Sequence, residues 1–121
     1  MILGVGIDLI EIARVAAALT RTPSMHARLF TAGEQAYCGG RVASLAARFA
    51  AKEAVAKALG TGVRGFTFLD VEVVTDGLGR PSVRLHDRAA EVASAAGVAV
   101  VHLSLTTSEQ HAAAYAVAEG S

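Results

Sequence analysis

Three residues on one predicted helix face have types and spacing that suit phosphate chemistry. Phe49, Glu53 and Lys57 recur at every fourth position of an alanine-rich segment, so they line one side of a helix. A ring, an acid and an ammonium group in one stripe are unusual on such an apolar helix. The simplest interpretation is an ordinary salt bridge between Glu53 and Lys57, worth roughly 0.3–0.5 kcal/mol. A second acid, earlier in the chain, favours a chemical role.

That second acid is Asp8, which lies in the apolar segment Ile2–Ile10. Burying a lone carboxylate is very costly, so Asp8 needs a metal ion, a basic residue or backbone N–H groups as its partner. Two carboxylates from separate elements, Asp8 and Glu53, suit Mg²⁺, because this ion keeps several waters and completes its shell with substrate phosphates. Lys57 is one turn beyond Glu53 and could contact the same phosphates. A metal ion beside a lysine stabilises charge in phosphoryl transfer.

Two predicted elements must position these side chains. The segment Ile2–Ile10 is rich in β-branched and apolar residues and predicts a buried strand, in which Gly4 and Gly6 permit the close approach of another backbone. Alanines and long unbranched side chains predict one helix from Val42 to Leu59, and Gly60 is a natural residue to end it. A site built from both elements would form only on folding.

The remaining segments indicate an α+β fold. Before residue 39 the sequence predicts three further helices: Ile12–Leu19, a short one starting at Thr22-Pro23, and one opened by the capping box Thr31–Glu34. Later elements are strands at Phe68–Thr75, Ser82–Leu85, Val98–Thr106 and His111–Ala118, and a helix at Arg88–Ala96 capped by Asp87 and closed by Gly97. Helices in the first half and mostly antiparallel strands in the second are typical of this class.

The composition limits the class of protein. A chain of 121 residues predicts a single domain over residues 1–121, and a hydrophobic fraction of 53% without tryptophan predicts a core of Ala, Val and Leu. The charged fraction is only 18%, so we expect another subunit to cover part of the surface. The single cysteine, Cys38, excludes an internal disulfide and favours a reducing compartment. With no membrane span or signal peptide recognised, we expect a soluble, cytoplasmic protein.

The charge distribution is uneven although the net charge is zero. Residues 1–64 hold eight basic and four acidic residues, whereas residues 65–121 hold three basic and seven acidic ones. Nothing in this balance indicates nucleic-acid binding. A basic first half could form a face for an anionic substrate or an acidic partner, unless the fold interleaves the two halves.

Two motifs resemble the signatures of the 4′-phosphopantetheinyl transferases. They are Val5–Asp8 (Val-Gly-Ile-Asp) and Arg48–Lys57 (Arg-Phe-Ala-Ala-Lys-Glu-Ala-Val-Ala-Lys), and their order and spacing resemble the short bacterial branch of that family. Further segments resemble the same branch: Gly60–Gly62, Phe68–Glu72, Gly79–Pro81 and Val101–Thr106. The resemblance implies a small, mostly antiparallel sheet wrapped around a long central helix. It also implies transfer of the phosphopantetheine arm of coenzyme A to a serine of an acyl carrier protein, with release of adenosine 3′,5′-bisphosphate.

The resemblance also implies roles for individual residues. Asp8 and Glu53 match the family's Mg²⁺ ligands, and these two with Lys57 match its catalytic residues. The resemblance implies that coenzyme A is bound by Arg48, Lys57, Gly60, Gly62, Gly79, Arg80, Pro81 and Thr106. One position departs from the family pattern. Relatives commonly carry a histidine near the coenzyme phosphates where this chain has Thr107, which can donate a hydrogen bond but carries no charge.

Partners are implied in the same way. Arg14, Arg21 and Arg28 match basic positions that face the acidic helix of the carrier protein in relatives, which agrees with the basic first half. Relatives of the short branch are homotrimers with the coenzyme in the cleft between neighbouring subunits. A homotrimer would account for the low charged fraction.

Two other functions compete with this interpretation. A Gly-Ile-Asp strand also opens actin-like ATPases, but those need two large lobes and this chain has room for neither. The other alternative is a non-catalytic oligomeric binding module, in which Asp8 and Glu53 are merely paired with Lys52, Lys57 or Arg48.

Overall fold

The computed structural model describes residues 1–61 and 65–121, which form five α-helices, five β-strands and a short 3₁₀ helix. The helices are α1 (Ile12–Arg21), α2 (Met25–Leu29), α3 (Ala32–Cys38), α4 (Val42–Ala58) and α5 (Asp87–Ala95). The strands are β1 (Ile2–Glu11), β2 (Val71–Thr75), β3 (Pro81–Leu85), β4 (Val98–Thr107) and β5 (His111–Gly120), and the 3₁₀ helix is Phe68–Asp70. The predicted α+β class is confirmed.

The strands form two small antiparallel sheets. The first has the order β1-β5-β4, with Asp8 opposite Ala114 in its register, and the second pairs β2 with β3. Helix α4 packs against β1 and β5, and it also contacts β2 and β4. The inward face of β5 is a row of alanines, Ala112, Ala114, Ala116 and Ala118, all buried. Such small side chains let the central helix lie close to the sheet.

The long helix ends as its sequence predicts, one residue from the expected boundary. Gly60 has a φ of +82°, a left-handed conformation that glycine adopts without strain. Between Leu45 and Ala58 every residue of α4 is buried except Phe49, Glu53 and Lys57. The stripe identified from spacing is therefore the more exposed side of this part of the helix.

Two glycines bring β1 against this helix. A Cβ added to Gly6 would lie 2.0 Å from the carbonyl oxygen of Ala54, and one added to Gly4 would lie 2.1 Å from that of Ala58. No side chain fits at these distances, so the prediction that both glycines permit a close backbone approach is confirmed.

The strand itself is less buried than the apolar sequence predicts. Only alternate residues of β1 face α4, and Gly6 is its single fully buried residue. The other face of the strand is exposed and carries Leu3, Val5, Ile7 and Leu9, which are 44%, 53%, 62% and 66% exposed. The prediction of a buried strand was wrong for this face, because no element among the described residues packs over it.

Three local predictions differ from the structure. The strand expected from Phe68 begins only at Val71, because a capping box between Thr67 and Asp70 folds the preceding residues into the 3₁₀ helix. The short second helix begins at Met25 rather than at Thr22-Pro23. Asp87 is the first residue of α5 and not its cap, a position taken by His86. The capping box of Thr31 and Glu34 is confirmed.

No helix among the described residues is both long and apolar enough to cross a membrane.

Candidate active site

Asp8, Glu53 and Lys57 meet where β1 crosses α4. Alternation along the strand puts Asp8 on the same face as Gly6, toward the helix. The Lys57 Nζ donates a hydrogen bond of 2.9 Å to the carbonyl oxygen of Ile7 and lies 3.3 Å from Asp8 Oδ1. The Asp8 side chain is 19% exposed and that of Lys57 is 50% exposed, so the pair is open to solvent on one side.

Glu53 lies near enough to Asp8 for the two charges to interact. Partial burial, followed by the negative charge of Asp8, raises the pKa of the Glu53 carboxyl, and the positive charge of Lys57 opposes this shift. No ion pair joins Glu53 to Lys57 among the residues that the structure describes. Lys57 pairs instead with Asp8, so the simple interpretation of an i,i+4 salt bridge within α4 was wrong.

The two carboxylates fit a magnesium ion better than a transition metal. Within residues 1–61 and 65–121, no group of three or more His, Cys, Asp or Glu side chains could hold a metal ion. Asp8 and Glu53 supply hard oxygen donors only, and their mutual repulsion is the kind that a divalent cation relieves. Magnesium commonly binds through one or two carboxylates and takes its other ligands from water and phosphate. The donor set therefore suits this ion.

A separate cavity of about 260 Å³ contains several of the residues expected to bind coenzyme A. It is lined by the predicted residues Arg48, Gly79, Pro81 and Thr106, together with Thr107. Arg80 does not line this cavity and instead lines a neighbouring one of about 320 Å³, which Pro81 also borders. Gly60 is exposed at the end of α4 and lines neither, and Gly62 lies outside the described residues.

The acid pair, Asp8 and Glu53, and the cavity that contains Arg48 lie on different sides of the central helix. Neither Asp8, Glu53 nor Lys57 lines the cavity that contains Arg48. Arg48 and Glu53 are five residues apart on α4, so their side chains leave the helix about 140° apart around its axis. One subunit therefore does not gather all the predicted site residues at one point.

The Arg48 guanidinium is held firmly although no acid pairs with it in the described part of the chain. Its Nη2 donates to Thr75 Oγ1 at 2.8 Å and its Nη1 to the Ser44 carbonyl oxygen at 3.4 Å. Its Cζ lies 4.6 Å from the centre of the Tyr37 ring. Arg48 is only 6% exposed, and its Nε is buried without a hydrogen-bond partner among the described residues. A buried cation without a carboxylate favours an anionic ligand.

Two of the three predicted docking arginines border an apolar groove. A cavity of about 180 Å³ is lined by Arg14 and Arg21, and also by Ile10, Val15, Ala18, Leu19, Met25, Leu29 and Phe49. Arg28 is exposed on α2 but does not line it. An apolar floor edged by basic side chains suits an amphipathic helix with acidic residues.

The contacts of Lys52 could not be predicted from its position in the motif. Its Nζ donates to Glu34 Oε1 at 2.8 Å, to the Phe68 carbonyl oxygen at 2.9 Å and to the Val71 carbonyl oxygen. Both Lys52 and Glu34 have fully buried side chains. Lys52 lies in the signature motif immediately before Glu53, so its side chain leaves the helix about 100° around the axis from that of Glu53. Its hydrogen bonds tie α4 to α3, to the 3₁₀ helix and to the first residue of β2.

Phe49 and Tyr37 also have contacts that spacing alone did not indicate. The Phe49 ring stacks on that of Phe68, with centroids 5.3 Å apart and planes 22° apart. This contact and the hydrogen bond from Lys52 to the Phe68 carbonyl oxygen hold the same 3₁₀ helix. Tyr37 contacts Arg48 across 4.6 Å, and no motif in the sequence singled out this tyrosine. Only a long-range contact prediction could have found these pairs.

Comparison with known proteins identifies the family. The model of the 4′-phosphopantetheinyl transferase superfamily matches residues 4–116. The chain belongs to this superfamily, and the predicted resemblance is confirmed.

Within the superfamily the chain is similar over nearly its whole length to holo-[acyl-carrier-protein] synthases. It is 49% identical over 124 residues to the one from Edwardsiella ictaluri, covering 98% of each chain. The crystal structure of the synthase from Neisseria meningitidis has a TM-score of 0.90 and 34% identity, covering 98% of this chain and 99% of that one. The synthase from Bacillus anthracis, solved in complex with CoA (3′,5′-ADP), has a TM-score of 0.83 and 36% identity, covering 100% and 99%.

Proposed function

We propose that this chain transfers the 4′-phosphopantetheine arm of coenzyme A to a serine of an apo acyl carrier protein, in a Mg²⁺-dependent reaction that releases adenosine 3′,5′-bisphosphate. The observation that carries this proposal is the meeting of Asp8, Glu53 and Lys57 at the crossing of β1 and α4. The family and the complex of the Bacillus anthracis relative with coenzyme A support it.

In the proposed reaction the serine Oγ forms a bond to the β-phosphorus of the coenzyme while the bond from that phosphorus to the bisphosphate leaving group breaks. Magnesium held by Asp8 and Glu53 would neutralise the pyrophosphate and polarise the phosphorus. Lys57 exchanges Asp8 for a phosphate oxygen and stabilises the charge that grows on the leaving group. The serine proton leaves to Glu53 or to a water held beside it, and we assign neither as the base.

Coenzyme A would place an anionic group against Arg48 in the 260 Å³ cavity, near Gly79, Pro81 and Thr106. Because this cavity and the acid pair lie on different sides of α4, one subunit would not bind the whole coenzyme. A homotrimer with the coenzyme between subunits would bring the cavity of one copy to the acid pair of the next.

A homotrimer has further support from the exposed surface of the first sheet. Leu3, Val5, Ile7 and Leu9 of β1 form a contiguous apolar face, which Tyr115 of the paired β5 extends. Exposed apolar patches of this kind mark protein interfaces. We therefore propose that this face packs against neighbouring copies of the chain.

The acyl carrier protein would dock over the groove bordered by Arg14 and Arg21. Its acidic helix would place apolar side chains on the floor and carboxylates at the rim, where Arg28 could add a more distant contact. We expect Arg14→Glu to raise KM for the carrier protein more than KM for coenzyme A. An equal rise in both values would remove the docking role, and steady-state kinetics with each substrate varied in turn decides between them.

The experiment that tests the function uses the intact mass of the carrier protein. We expect the full chain, incubated with coenzyme A, Mg²⁺ and an apo acyl carrier protein, to increase the carrier's mass by one phosphopantetheine arm. Asp8→Ala and Glu53→Ala should each abolish this increase while circular dichroism still reports a folded protein. Omission of Mg²⁺ with added chelator should do the same. Full activity in either variant would refute the metal assignment.

The observed Asp8–Lys57 ion pair is also what a non-catalytic binding module would contain. Titration with coenzyme A separates the two functions, because a module of that kind should show no Mg²⁺-dependent binding. Failure of both binding and transfer with the wild-type chain would overturn the proposed function.

A further inference from the structure

We infer that Tyr37 is a positioning residue for coenzyme binding: its ring holds the Arg48 guanidinium in the cavity where an anionic group of the coenzyme binds. This inference rests on the proposed function. Tyr37 lies on α3 and belongs to neither signature motif, whereas Arg48 is the first residue of the signature segment on α4. The two side chains line the same cavity, with Ser44, Thr106 and Thr107 around them.

Arg48 lacks a compensating charge among the described residues. Its side chain is almost fully buried, and none of the ion pairs of the described residues includes it. Its two hydrogen-bond acceptors, Thr75 Oγ1 and the Ser44 carbonyl oxygen, are neutral. The face of the Tyr37 ring, 4.6 Å away, is electron-rich and stabilises a cation without neutralising it. Arg48 thus remains positive for an incoming anion.

Arg41 holds the end of α3 that carries Tyr37 and also contacts its ring. Arg41 donates from Nη2 to the Tyr37 carbonyl oxygen at 2.6 Å and from Nε to the Cys38 carbonyl oxygen at 3.0 Å. Its Cζ lies 5.3 Å from the centre of the Tyr37 ring. The ring is 44% exposed, so it borders the cavity without being part of the core. The Tyr37 ring therefore contacts the arginine from the border of the cavity, and its removal should leave the core packing unchanged.

The other residues that line the cavity, Thr107 among them, bring no charge. Binding of an anion there depends on the single guanidinium of Arg48 and on its orientation. A pre-organised guanidinium loses less conformational entropy on binding than a mobile one. Loss of the Tyr37 ring should consequently weaken coenzyme binding, with no effect on the chemical step.

The test measures the dissociation constant of coenzyme A by calorimetry and the steady-state kinetics of transfer, in the full chain. We expect Tyr37→Leu to raise Kd and KM for coenzyme A roughly fivefold, within the range of a cation–π contact, while kcat changes less than about twofold. Tyr37→Phe keeps the ring and should restore wild-type values. Wild-type affinity in Tyr37→Leu, or an equal loss in Tyr37→Phe, would overturn the inference.

A double-mutant cycle with Arg48 shows whether the tyrosine acts through the arginine. In the Arg48→Met background, Tyr37→Leu should change Kd by less than about twofold, because the partner of the ring is gone. Arg48→Lys provides a second background if the methionine variant does not fold, and there the effect of Tyr37→Leu should shrink. An undiminished effect would mean that Tyr37 contacts the coenzyme directly, which contradicts a positioning role. Absence of coenzyme binding in the wild-type chain would instead refute the proposed function.

Discussion

Helix α4 carries two lysines whose environments are opposite. Lys52 is fully buried, pairs with the fully buried Glu34 and donates to two backbone carbonyl groups as well. Lys57 is half exposed and lies 3.3 Å from Asp8, which is itself partly accessible. The same type of side chain thus serves as a fixed internal tie at one position and as an accessible charge one and a half turns later.

The difference shows which ion pair can take part in a reaction. Burial lowers the pKa of Lys52, and Glu34 opposes this shift, so the buried pair stays together only because all its hydrogen bonds are made. The exposed pair has a long contact and access to water, so Lys57 can exchange Asp8 for a phosphate oxygen at small cost. The buried pair holds the helix in place, and the exposed pair is available to substrate.

The largest effect is expected from Lys52→Met. It leaves the Glu34 carboxylate buried without a cation, so we expect a loss of about 3–5 kcal/mol in the free energy of unfolding, measured with urea. Lys57→Met is the matched control and should change that free energy by less than about 1 kcal/mol. Equal losses in the two variants would erase the distinction between the pairs.

Lys57→Met, which should have little effect on stability, should have a large effect on activity. Lys57→Met should lower kcat/KM for phosphopantetheine transfer by about 10²–10³-fold, the usual consequence of removing one charge-stabilising donor at a reacting group. The folded fraction should be unchanged, which circular dichroism can check. Lys57→Arg keeps the charge and should recover part of the rate. Wild-type kcat/KM in Lys57→Met would exclude it from the reaction.

A smaller effect is expected for Glu53→Gln in metal-free protein. The pKa of Glu53 is raised in the folded state, so ionisation of this carboxyl destabilises the fold as the pH rises above the ordinary glutamate pKa, and does so fully above the raised value. We expect the substitution to raise Tm at neutral pH in the presence of chelator. The corresponding gain in the free energy of unfolding should be at most about 1 kcal/mol, because the group is partly exposed. Below the ordinary pKa of glutamate the two proteins should have equal Tm values, and a lower Tm for the variant at neutral pH would contradict the assigned repulsion.

The smallest effect concerns the polar groups beside the buried pair. Glu72 accepts hydrogen bonds from Thr31 Oγ1 at 2.8 Å and pairs with His86 Nε2 at 2.9 Å, and the His86 hydrogen bond is the main cause of its lowered pKa. This stability is present above the ordinary glutamate pKa and is lost as the pH falls through the lowered value. We expect Glu72→Gln to flatten that acid-side decline by about 0.5 kcal/mol in a series of thermal melts. An identical slope in both proteins would count against it.

Local signals allowed much of this fold to be predicted from sequence. The helix-forming residues of α4 and the capping box of Thr31 and Glu34 act over a few neighbouring residues, and both predictions are confirmed. Glu34 also accepts hydrogen bonds from Lys52 Nζ and from the backbone N–H of Val73, which lie 18 and 39 residues away in the chain. Such contacts depend on the packing of α3 against α4 and leave no local pattern.

The prediction of Phe68–Thr75 as one strand had a different weakness. Alternating residue types suggested a strand, but Thr67 and Asp70 form a local capping box that favours a helical turn at its start. The exposed face of β1 could not be predicted either, because an apolar run looks the same whether the chain itself or another copy covers it. For the site, the motifs predicted that Asp8 and Glu53 approach each other, and the binding-module alternative already included Lys57 among the possible partners of Asp8.

Gly4 and Gly6 have a consequence for any survey of random substitutions in this protein. They have no side chain that could take part in the reaction, yet a single methyl at position 6 would collide with the backbone of α4 and lift β1, and Asp8 with it, away from Glu53. Position 6 would then rank among the most sensitive in the chain. A map of intolerant positions would mark it as though it were a reactive residue, although its contribution is only the space that it leaves empty.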